Sequence, residues 1–254
     1  MEERTQEGFS SKELAEYVAS AKKRTLVRAF VQLKGEARFD GCKVVGTWRN
    51  NAHDGGNGGD GFCLVVGDEK DFKRALDKYG EAVVDYYAEY LCANSGVGLA
   101  DVSTFGARIE PFAVVREKVF IAPTAVVMMG AVLNIGCSIG ERTMIDMNAV
   151  IGSNAKIGND CHVGAGAVVA GVLEPVDATP VVVEEGVTLG ANCVVLEGRR
   201  IGANSVVGAG AVVTEDIPPY SVAVGCPAVV KKRFDKQTAL KTQRNGALFD
   251  KGGF

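Results

Sequence analysis

Residues 139–168 read IGERTMIDMNAVIGSNAKIGNDCHVGAGAV, with an isoleucine or a valine at every sixth position from Ile139 to Val163. The spacing continues on both sides of this stretch, and a small or β-branched residue follows each of the first ten aliphatic residues by four positions. The aliphatic positions of the first run are Ile109, Val115, Ile121, Val127, Leu133, Ile139, Ile145, Ile151, Ile157, Val163 and Val169. A period of six fits neither a helix nor an ordinary strand, and it predicts the hexapeptide repeat of a parallel β-helix.

Each hexapeptide is predicted to form one short strand and one turn, so that three of them close a triangular coil of about 18 residues. The aliphatic residue points into the coil, and the small residue occupies the tight corner. Glycines after many of the aliphatic residues permit turn dihedrals and close stacking of successive coils. The repeat breaks at AGVLEPVDATP (170–180) and resumes in a shifted phase at Val183. We therefore expect a β-solenoid, specifically a left-handed parallel β-helix.

The flanking sequence predicts three domains: an N-terminal α+β domain (1–104), the β-helix (105–230) and a C-terminal helical tail (231–254). In the first domain we expect helices over 10–24, 68–80 and 81–96 and strands over 25–33 and 62–67. The two flanking parts are expected to cap the open ends of the β-helix. A triangular prism suits packing about a three-fold axis, which predicts a homotrimer.

Composition limits the function classes. The chain has 254 residues, 47% of them hydrophobic and 23% charged, which is typical of a globular protein. Its net charge of −3 argues against a nucleic-acid partner, and the sequence has no uncharged apolar run long enough to span a membrane. Seven scattered cysteines without a C-x-x-C pair favour reduced thiols and a cytoplasmic location, and a polar N-terminus does not resemble a secretory signal. The glycine-rich loop at 53–61 is predicted to be a solvated linker.

Two polar side chains stand out in the repeats. Asp146 follows an inward isoleucine, so it should point outward, and the residue stacked on it one coil later is Gly164, which we expect to leave space for a ligand. The alternative is an acid that is solvated or bonds a turn. His162 lies 16 residues after Asp146, near the same corner of the next coil, and a neutral imidazole can take a proton from an attacking nitrogen. The alternative is a histidine that hydrogen-bonds along a loop.

Several segments together resemble the tetrahydrodipicolinate N-acetyltransferases, which are hexapeptide-repeat acyltransferases of the diaminopimelate–lysine pathway. The most specific is TMIDMNAV (143–150), followed by CHVGAG (161–166) and by the pair GVLEP (171–175) and PVVVE (180–184). The other carriers are RIEPFAVVRE (108–117), VVMMGAVLNIG (126–136), PVVVEEGVTLGANCVVLEG (180–198) and TEDIPPYSVAVGCPA (214–228).

This resemblance implies acetyl-CoA as acyl donor and N-acetylation of (S)-2,3,4,5-tetrahydrodipicolinate to L-2-acetamido-6-oxopimelate. It implies a catalytic role for Asp146, because the matching aspartate of the related succinyltransferases is catalytic, and a similar role for His162. Those succinyltransferases carry a second catalytic glutamate where this chain has Val194, which favours acetyl over succinyl transfer.

The resemblance also implies binding residues. Four small residues and one lysine are expected to bind acetyl-CoA: Gly190, Ala191, Gly208, Ala209 and Lys231. A substrate with two carboxylates needs an arginine, for which Arg116 is the first choice and Arg108 and Arg142 are alternatives. Glu174, in the 170–180 excursion, is expected to border the site and is assigned to the substrate side. The alternative for Lys231 and the bases beside it is a solvated helix start.

Other functions remain as alternatives. Within the same class these are succinyl transfer and another hexapeptide acyltransferase reaction, and outside it a non-catalytic β-helix scaffold or binding subunit. A zinc enzyme on this fold, similar to γ-carbonic anhydrases, needs three histidine ligands, whereas the chain has two histidines in all. We therefore expect no metal.

Overall fold

The computed structural model describes residues 9–46, 61–172 and 178–242. The chain divides into two compact units: one comprises helix α1 (Ser11–Ser20) together with the chain from Val97 onward, and the other is Ala21–Gly96. In the described ranges no helix is long and apolar enough to cross a membrane.

The Ala21–Gly96 unit is an antiparallel sheet with one helix packed on one face. Its strands have the order β2-β3-β1-β4, and its core includes Val27, Val31 and Val65 of the sheet and Phe72 of the helix. The elements are β1 (Leu26–Leu33), β2 (Lys43–Val45), β3 (Gly61–Asp68), α2 (Glu69–Tyr79), a 3-10 turn (Gly80–Ala82) and β4 (Val83–Tyr90).

Four of the predicted elements before residue 105 are confirmed, namely α1, β1, β3 and α2. Helix α1 begins with a capping box, in which the hydroxyl of Ser10 accepts from the N–H of Glu13 (3.2 Å) and the Glu13 carboxylate accepts from the N–H of Ser10 (2.8 Å). Helix α2 begins after Asp68, whose side chain accepts from the N–H of Lys70 (3.1 Å). Side-chain caps of this kind satisfy N–H groups that have no partner within the helix.

The helix predicted over 81–96 is wrong, because this segment forms strand β4. It pairs antiparallel with β1 from Val27↔Tyr90 to Leu33↔Val83. The sequence VVDYYAEY is rich in valine and tyrosine, which pack well on a pleated surface. The open edge of β1 offers it a full ladder of backbone hydrogen bonds, and this tertiary partner outweighs the helical spacing that suggested a helix.

From Arg108 onward the chain follows the hexapeptide repeat. A 3-10 turn (Val102–Thr104) precedes it. The strands are β5 (Arg108–Ile109), β6 (Val114–Val115), β7 (Phe120–Ile121), β8 (Val126–Val127), β9 (Val132–Leu133), β10 (Ser138–Ile139), β11 (Met144–Ile145), β12 (Val150–Ile151), β13 (Lys156–Ile157), β14 (His162–Val163), β15 (Val168–Val169), β16 (Val182–Val183), β17 (Thr188–Leu189), β18 (Val194–Val195), β19 (Arg200–Ile201), β20 (Val206–Val207), β21 (Val212–Val213), β22 (Ser221–Val224) and β23 (Val229–Arg233).

Successive strands go to three sheets in turn, which confirms the predicted parallel β-helix. The eight-stranded sheet is β5-β8-β11-β14-β17-β20-β22-β23, the six-stranded sheet is β6-β9-β12-β15-β18-β21, and the five-stranded sheet is β7-β10-β13-β16-β19. Neighbouring strands lie one coil apart, as in the pair Ile145↔Val163. After the 170–180 excursion the register resumes with Val163↔Leu189, so the extra residues leave the stacking intact.

The aliphatic residue of each repeat fills the interior. Leu133, Ile139, Ile145 and Ile151 are fully buried, and so are the matching residues of the coils after the excursion. Burying one such side chain contributes about 1.5–3 kcal/mol. The small residues at the corners are buried too, and where the corner residue is Thr143 its hydroxyl donates to the carbonyl of Gly158 (2.7 Å). The interior is therefore dry and apolar, and chemistry is confined to the outward positions.

Left-handed turns recur three residues after the aliphatic residue. Along one corner, glycine and asparagine alternate in these turns, as at Gly130 (φ 73°), Asn148 (φ 57°) and Gly166 (φ 67°). Both residue types accept a positive φ, asparagine at a small cost. The two types are not interchangeable here, because the side chain of Asn148 covers Gly130 and a Cβ at Gly130 would overlap its Oδ1.

Helix α1 packs along another corner of the β-helix. Leu14 is fully buried and shares a small cluster with Ile135. A Cβ at Gly136 would overlap Leu14, so the helix can approach only because this residue is glycine. One coil further along the same corner, the side-chain amide of Asn154 donates to the hydroxyl of Ser11 (2.9 Å).

The C-terminal part begins with a strand rather than with the predicted helix. Lys232 pairs with Val222 in the antiparallel contact of β22 and β23, because the outer edge of β22 offers unpaired backbone groups. Helix α3 (Lys236–Lys241) follows, capped by Asp235, which accepts from the N–H of Thr238 (2.8 Å). Lys232 and the Thr238 donors hold the pKa of the Asp235 carboxyl well below its usual range.

The seven cysteines give a test of this interior. All are free, Cys137 and Cys193 are fully buried, and Cys226 is exposed. Burial raises the pKa of Cys193 to about 11 and raises the pKa of Cys137 as well. A thiol ionises only above its pKa, so at pH 8 both should stay protonated and unreactive. We expect a thiol reagent to label Cys226 within minutes and the two buried cysteines only after unfolding, as followed by peptide mass spectrometry.

The variant Cys226→Ser is the matched control and should remove the fast reaction. Labelling of Cys137 or Cys193 in the folded protein as fast as that of Cys226 would contradict the inward placement of the corner residues.

Candidate active site

Asp146 lies directly after β11, on the side of the coil formed by the eight-stranded sheet. Its N–H donates to the carbonyl of Val163 in the next coil (2.9 Å), which fixes the backbone. Its Oδ1 accepts from the N–H of Met147 (2.8 Å), which fixes one carboxylate oxygen. The side chain is 20% exposed, so Oδ2 is held in a partly shielded position.

His162 is the outward residue of β14, the neighbouring strand of the same sheet. Its Nε2 lies 3.8 Å from Oδ2 of Asp146, and its side chain is 36% exposed. This is an ion-pair distance but exceeds that of a hydrogen bond. The structure therefore brings the two predicted catalytic residues together. A carboxylate at this distance stabilises the imidazolium that forms when the histidine takes a proton.

Gly164 stacks on Asp146 as expected, and it also packs closely against the next coil. A Cβ at Gly164 would lie 2.7 Å from the carbonyl oxygen of Leu189 and 2.8 Å from the nitrogen of Ala191. No side chain fits so close to the backbone of the next coil. The expectation that Gly164 leaves space for a ligand stays a prediction, because coil stacking alone already requires glycine here.

The same column continues through two of the predicted cofactor-binding residues. Gly190 follows β17 and Gly208 follows β20, one and two coils beyond Gly164. A Cβ at Gly190 would lie 2.7 Å from the carbonyl carbon of Gly208, so stacking again excludes a side chain. We call these three residues, Gly164, Gly190 and Gly208, the glycine strip. It leads away from Asp146 along the outside of the β-helix.

Backbone donors accompany the glycine strip. In the coil of Asp146, the N–H of Met147 is satisfied by the Asp146 side chain. The equivalent N–H groups of the next three coils belong to Ala165, Ala191 and Ala209. Over the described ranges these three have no hydrogen-bond acceptor, because the residue before each is a glycine without a side chain. Ala191 and Ala209 are exposed residues, and their nitrogens face the glycine strip: a Cβ of Gly164 would stand 2.8 Å from the nitrogen of Ala191, and a Cβ of Gly190 would overlap the nitrogen of Ala209.

Lys231 lies in β23, the last strand of the eight-stranded sheet, and is exposed. Five strand steps separate β11 from β23, which at about 4.8 Å each is about 24 Å. The predicted cofactor residues therefore run along one sheet, from beside the Asp146–His162 pair to its far end. Lys231 does not contact the catalytic pair.

Two of the three arginines considered for the substrate are bound to their own chain. Arg116 follows β6 of the six-stranded sheet and donates to the carbonyl of Val97 (3.0 Å) and to Oδ1 of Asn134 (3.3 Å). Arg142 lies at the corner after β10 and forms a two-pronged pair with Asp160 at 2.9 and 2.7 Å. Neither belongs to the eight-stranded sheet that carries the catalytic pair.

Arg108 is the outward residue of β5 and does belong to the eight-stranded sheet. Its Nη2 lies 3.7 Å from the sulfur of Met128, and Met128 occupies the position of Asp146 in the preceding coil. Sequence reasoning ranked Arg116 above Arg108. Counting by 18 places Met128 next to Asp146 but assigned it no role, and it did not identify the three backbone donors. The three donors can be located from the repeat, because they occupy the position of Met147 in each of the next three coils.

Two predictions stay untested by this geometry. Glu174 lies outside the described residues. Within 9–46, 61–172 and 178–242 no group of three histidine, cysteine or acidic side chains is arranged to hold a metal ion. The expectation of a metal-free reaction stays a prediction.

Comparison with known families assigns both parts of the chain. Residues 136–171 and 180–215 match the family described as bacterial transferase hexapeptide (six repeats). Residues 9–102 match the family described as tetrahydrodipicolinate succinyltransferase N-terminal. The second match covers most of the segment before the repeats.

Full-length relatives extend the comparison over both parts. A 2,3,4,5-tetrahydropyridine-2,6-dicarboxylate N-acetyltransferase of Exiguobacterium sibiricum is 48% identical over 233 residues, covering 91% of this chain and 94% of the relative. Proteins of the same name from Thermotoga neapolitana and Halalkalibacterium halodurans are 47% and 42% identical, each over 92% of this chain and over 93% and 94% of the relative. The chain therefore belongs to the family of 2,3,4,5-tetrahydropyridine-2,6-dicarboxylate N-acetyltransferases.

Proposed function

We propose that this protein transfers the acetyl group of acetyl-CoA to the nitrogen of 2,3,4,5-tetrahydropyridine-2,6-dicarboxylate, a step of diaminopimelate and lysine biosynthesis. The observation that carries the proposal is the Asp146–His162 pair beside the glycine strip, in a chain whose relatives bear the name of this reaction. A proton acceptor beside a strip without side chains suits acyl transfer from an extended thioester, because the arm of the donor can approach the backbone there.

Acetyl transfer follows the opening of the substrate ring. The C=N bond of the ring adds water and opens to a free amine and a ketone. The nitrogen lone pair attacks the thioester carbonyl, a C–N bond forms, and the C–S bond breaks. The nitrogen loses a proton to a base, and the departing sulfur of CoA gains one. The acetylated nitrogen can no longer close the ring, so the product stays open.

His162 and Asp146 are the two candidates for the base that takes the proton from the attacking nitrogen. With His162 as base, the Asp146 carboxylate 3.8 Å away stabilises the imidazolium. With Asp146 as base, His162 stabilises the carboxylate and positions the amine. In both cases the backbone N–H groups beside the glycine strip are the proposed donors to the developing oxyanion and to the amide oxygens of the acyl-CoA arm. Lys231 and its basic neighbours are proposed to meet the CoA phosphates.

The variant Asp146→Asn tests the catalytic pair. It keeps the size of the side chain and the acceptor for Met147 but removes the charge and the basicity. We expect kcat to fall by roughly 10²-fold or more, because proton transfer loses its acceptor or its electrostatic support. The melting temperature should hardly change, since Asp146 is not part of the aliphatic interior. Steady-state kinetics with thiol release measure the effect, and His162→Asn is the parallel variant.

Asp160→Asn is the matched control, because Asp160 is another outward acid of the repeats, with a left-handed φ of 53° that asparagine adopts readily. It should retain near-normal kcat. The double variant of Asp146 and His162 should lose little more than the worse single variant if the two act as a unit. Near-normal kcat and KM in Asp146→Asn would move the catalytic role to His162 alone.

Donor choice is the second test. The N-terminal family description names succinyl transfer, whereas the relatives that span the whole chain are named for acetyl transfer. We follow the latter, since they include the repeats that carry the site, and Val194 offers no carboxylate to a second acid-dependent step. We expect kcat/KM for acetyl-CoA to exceed that for succinyl-CoA clearly, in assays that differ only in the donor. Equal values would refute the preference for acetyl transfer.

A homotrimer is the proposed assembly, because three flat sides of a prism suit three-fold packing and closed symmetry is the usual solution. Light scattering should give a mass about three times that of the 26.7 kDa chain. A mass near that of one chain across a wide concentration range would contradict it.

A cytoplasmic location also stays a proposal. The seven free cysteines support a reducing compartment.

A further inference from the structure

We propose that Arg108 binds a carboxylate of the acceptor substrate and so determines its specificity. This inference rests on the proposed function, because it assigns a residue to the dicarboxylate of that same reaction. Arg108 is the outward residue of the first strand of the eight-stranded sheet, two strands before β11. It therefore lies on the sheet that carries the Asp146–His162 pair.

The hydrogen-bonding of Arg108 is incomplete. A guanidinium carries five N–H donors, yet Nη2 meets a thioether sulfur at 3.7 Å, which is a weak acceptor. Its Nε is buried and has no hydrogen-bond partner within the described residues. Oε1 of Glu110 lies 3.3 Å from this Nε, which is close enough for an ion pair but not aligned for a hydrogen bond. The group that best satisfies a planar guanidinium is a carboxylate bound through two oxygens.

The position of the guanidinium suits the substrate. Its contact with Met128 places it in the coil next to that of Asp146, and successive coils lie about 4.8 Å apart. In a 2,6-dicarboxylate, each carboxylate is attached to a carbon beside the ring nitrogen. A carboxylate held by Arg108 therefore keeps the nitrogen within a few bond lengths of the guanidinium, on the sheet that carries Asp146 and His162.

The other two arginines considered for the substrate, Arg116 and Arg142, do not combine this position with under-satisfied donors. Arg142 is already bound through two nitrogens to Asp160, and Arg116 donates to a backbone carbonyl and an amide oxygen. A ligand carboxylate would have to replace these contacts. The sequence-based assignment of Arg116 stays a prediction, and the experiment below separates it from Arg108.

The first variant is Arg108→Gln, assayed by steady-state kinetics. We expect KM for the dicarboxylate to rise roughly 10- to 100-fold, the range for losing charge-assisted hydrogen bonds, with KM for acetyl-CoA within twofold of wild type. Arg108→Lys should recover part of the loss, since it keeps the charge without the planar fork. Arg142→Gln is the matched control and should leave both KM values unchanged.

A binding measurement separates ligand recognition from a structural role. The probes are pyridine-2,6-dicarboxylate and its neutral analogue pyridine-2,6-dicarboxamide, which have the same shape and no nucleophilic amine. Inhibition constants against the dicarboxylate substrate should show that wild type prefers the diacid. Arg108→Gln should reduce this preference roughly tenfold or more, and Arg142→Gln should not. A variant that merely loosened the fold would weaken both probes alike.

The outcomes are distinct. An unchanged preference for the diacid in Arg108→Gln overturns the proposal, as does loss of that preference in Arg116→Gln instead. A wild-type protein that binds the diacid through Arg108 but acetylates no tetrahydropyridine dicarboxylate would leave the carboxylate site standing and remove the proposed function. Calorimetric melting of every variant shows whether it is folded.

Discussion

The stacking of backbone on backbone at a fixed coil spacing is the constraint on which the rest of this structure depends. The N–H of Asp146 donates to Val163 (2.9 Å), and in the following coil that of Gly164 donates to Leu189 (2.8 Å). Residues in equivalent positions therefore lie over one another in columns. The ladder cannot shift by one residue without turning the aliphatic interior outward, so each column keeps its place along the whole β-helix.

The same constraint builds the candidate site. In the column of Asp146 the following coils carry glycine, because a Cβ would strike the next backbone at Gly164 and Gly190 and the side chain of Val224 at Gly208. The aspartate is accommodated with one oxygen bound to the N–H of Met147, which leaves the other toward His162. Where the column turns to glycine, no side chain is left to accept from the next N–H. Coil stacking thus produces both a fixed carboxylate and, beside it, a strip of backbone whose N–H groups have no acceptor within the described residues.

The sequence predicted what is local and repetitive, and it failed where distant partners decide. The six-residue period was sufficient for the β-helix and for the approach of Asp146 to His162, since both follow from counting along the coil. Strand β4 was predicted to be a helix because its partner, the edge of β1, is more than fifty residues away in sequence. Counting gave the neighbour of Asp146 correctly, and the close stacking predicted for such glycines is confirmed at Gly164 by its contact with Leu189.

Arginine shows most clearly where sequence reasoning ends. Arg108 and Arg142 are the same residue type on one repeating scaffold, and no motif separates them. Arg142 meets Asp160 through two nitrogens, so its charge and donors are satisfied within the chain. Arg108 meets a thioether and a misaligned carboxylate on the face that carries the catalytic pair. An arginine that its own fold satisfies contributes to stability. One that the fold holds in place against only a weak acceptor is suited to a ligand, because a bound carboxylate is a much better acceptor for its outer nitrogens than a thioether.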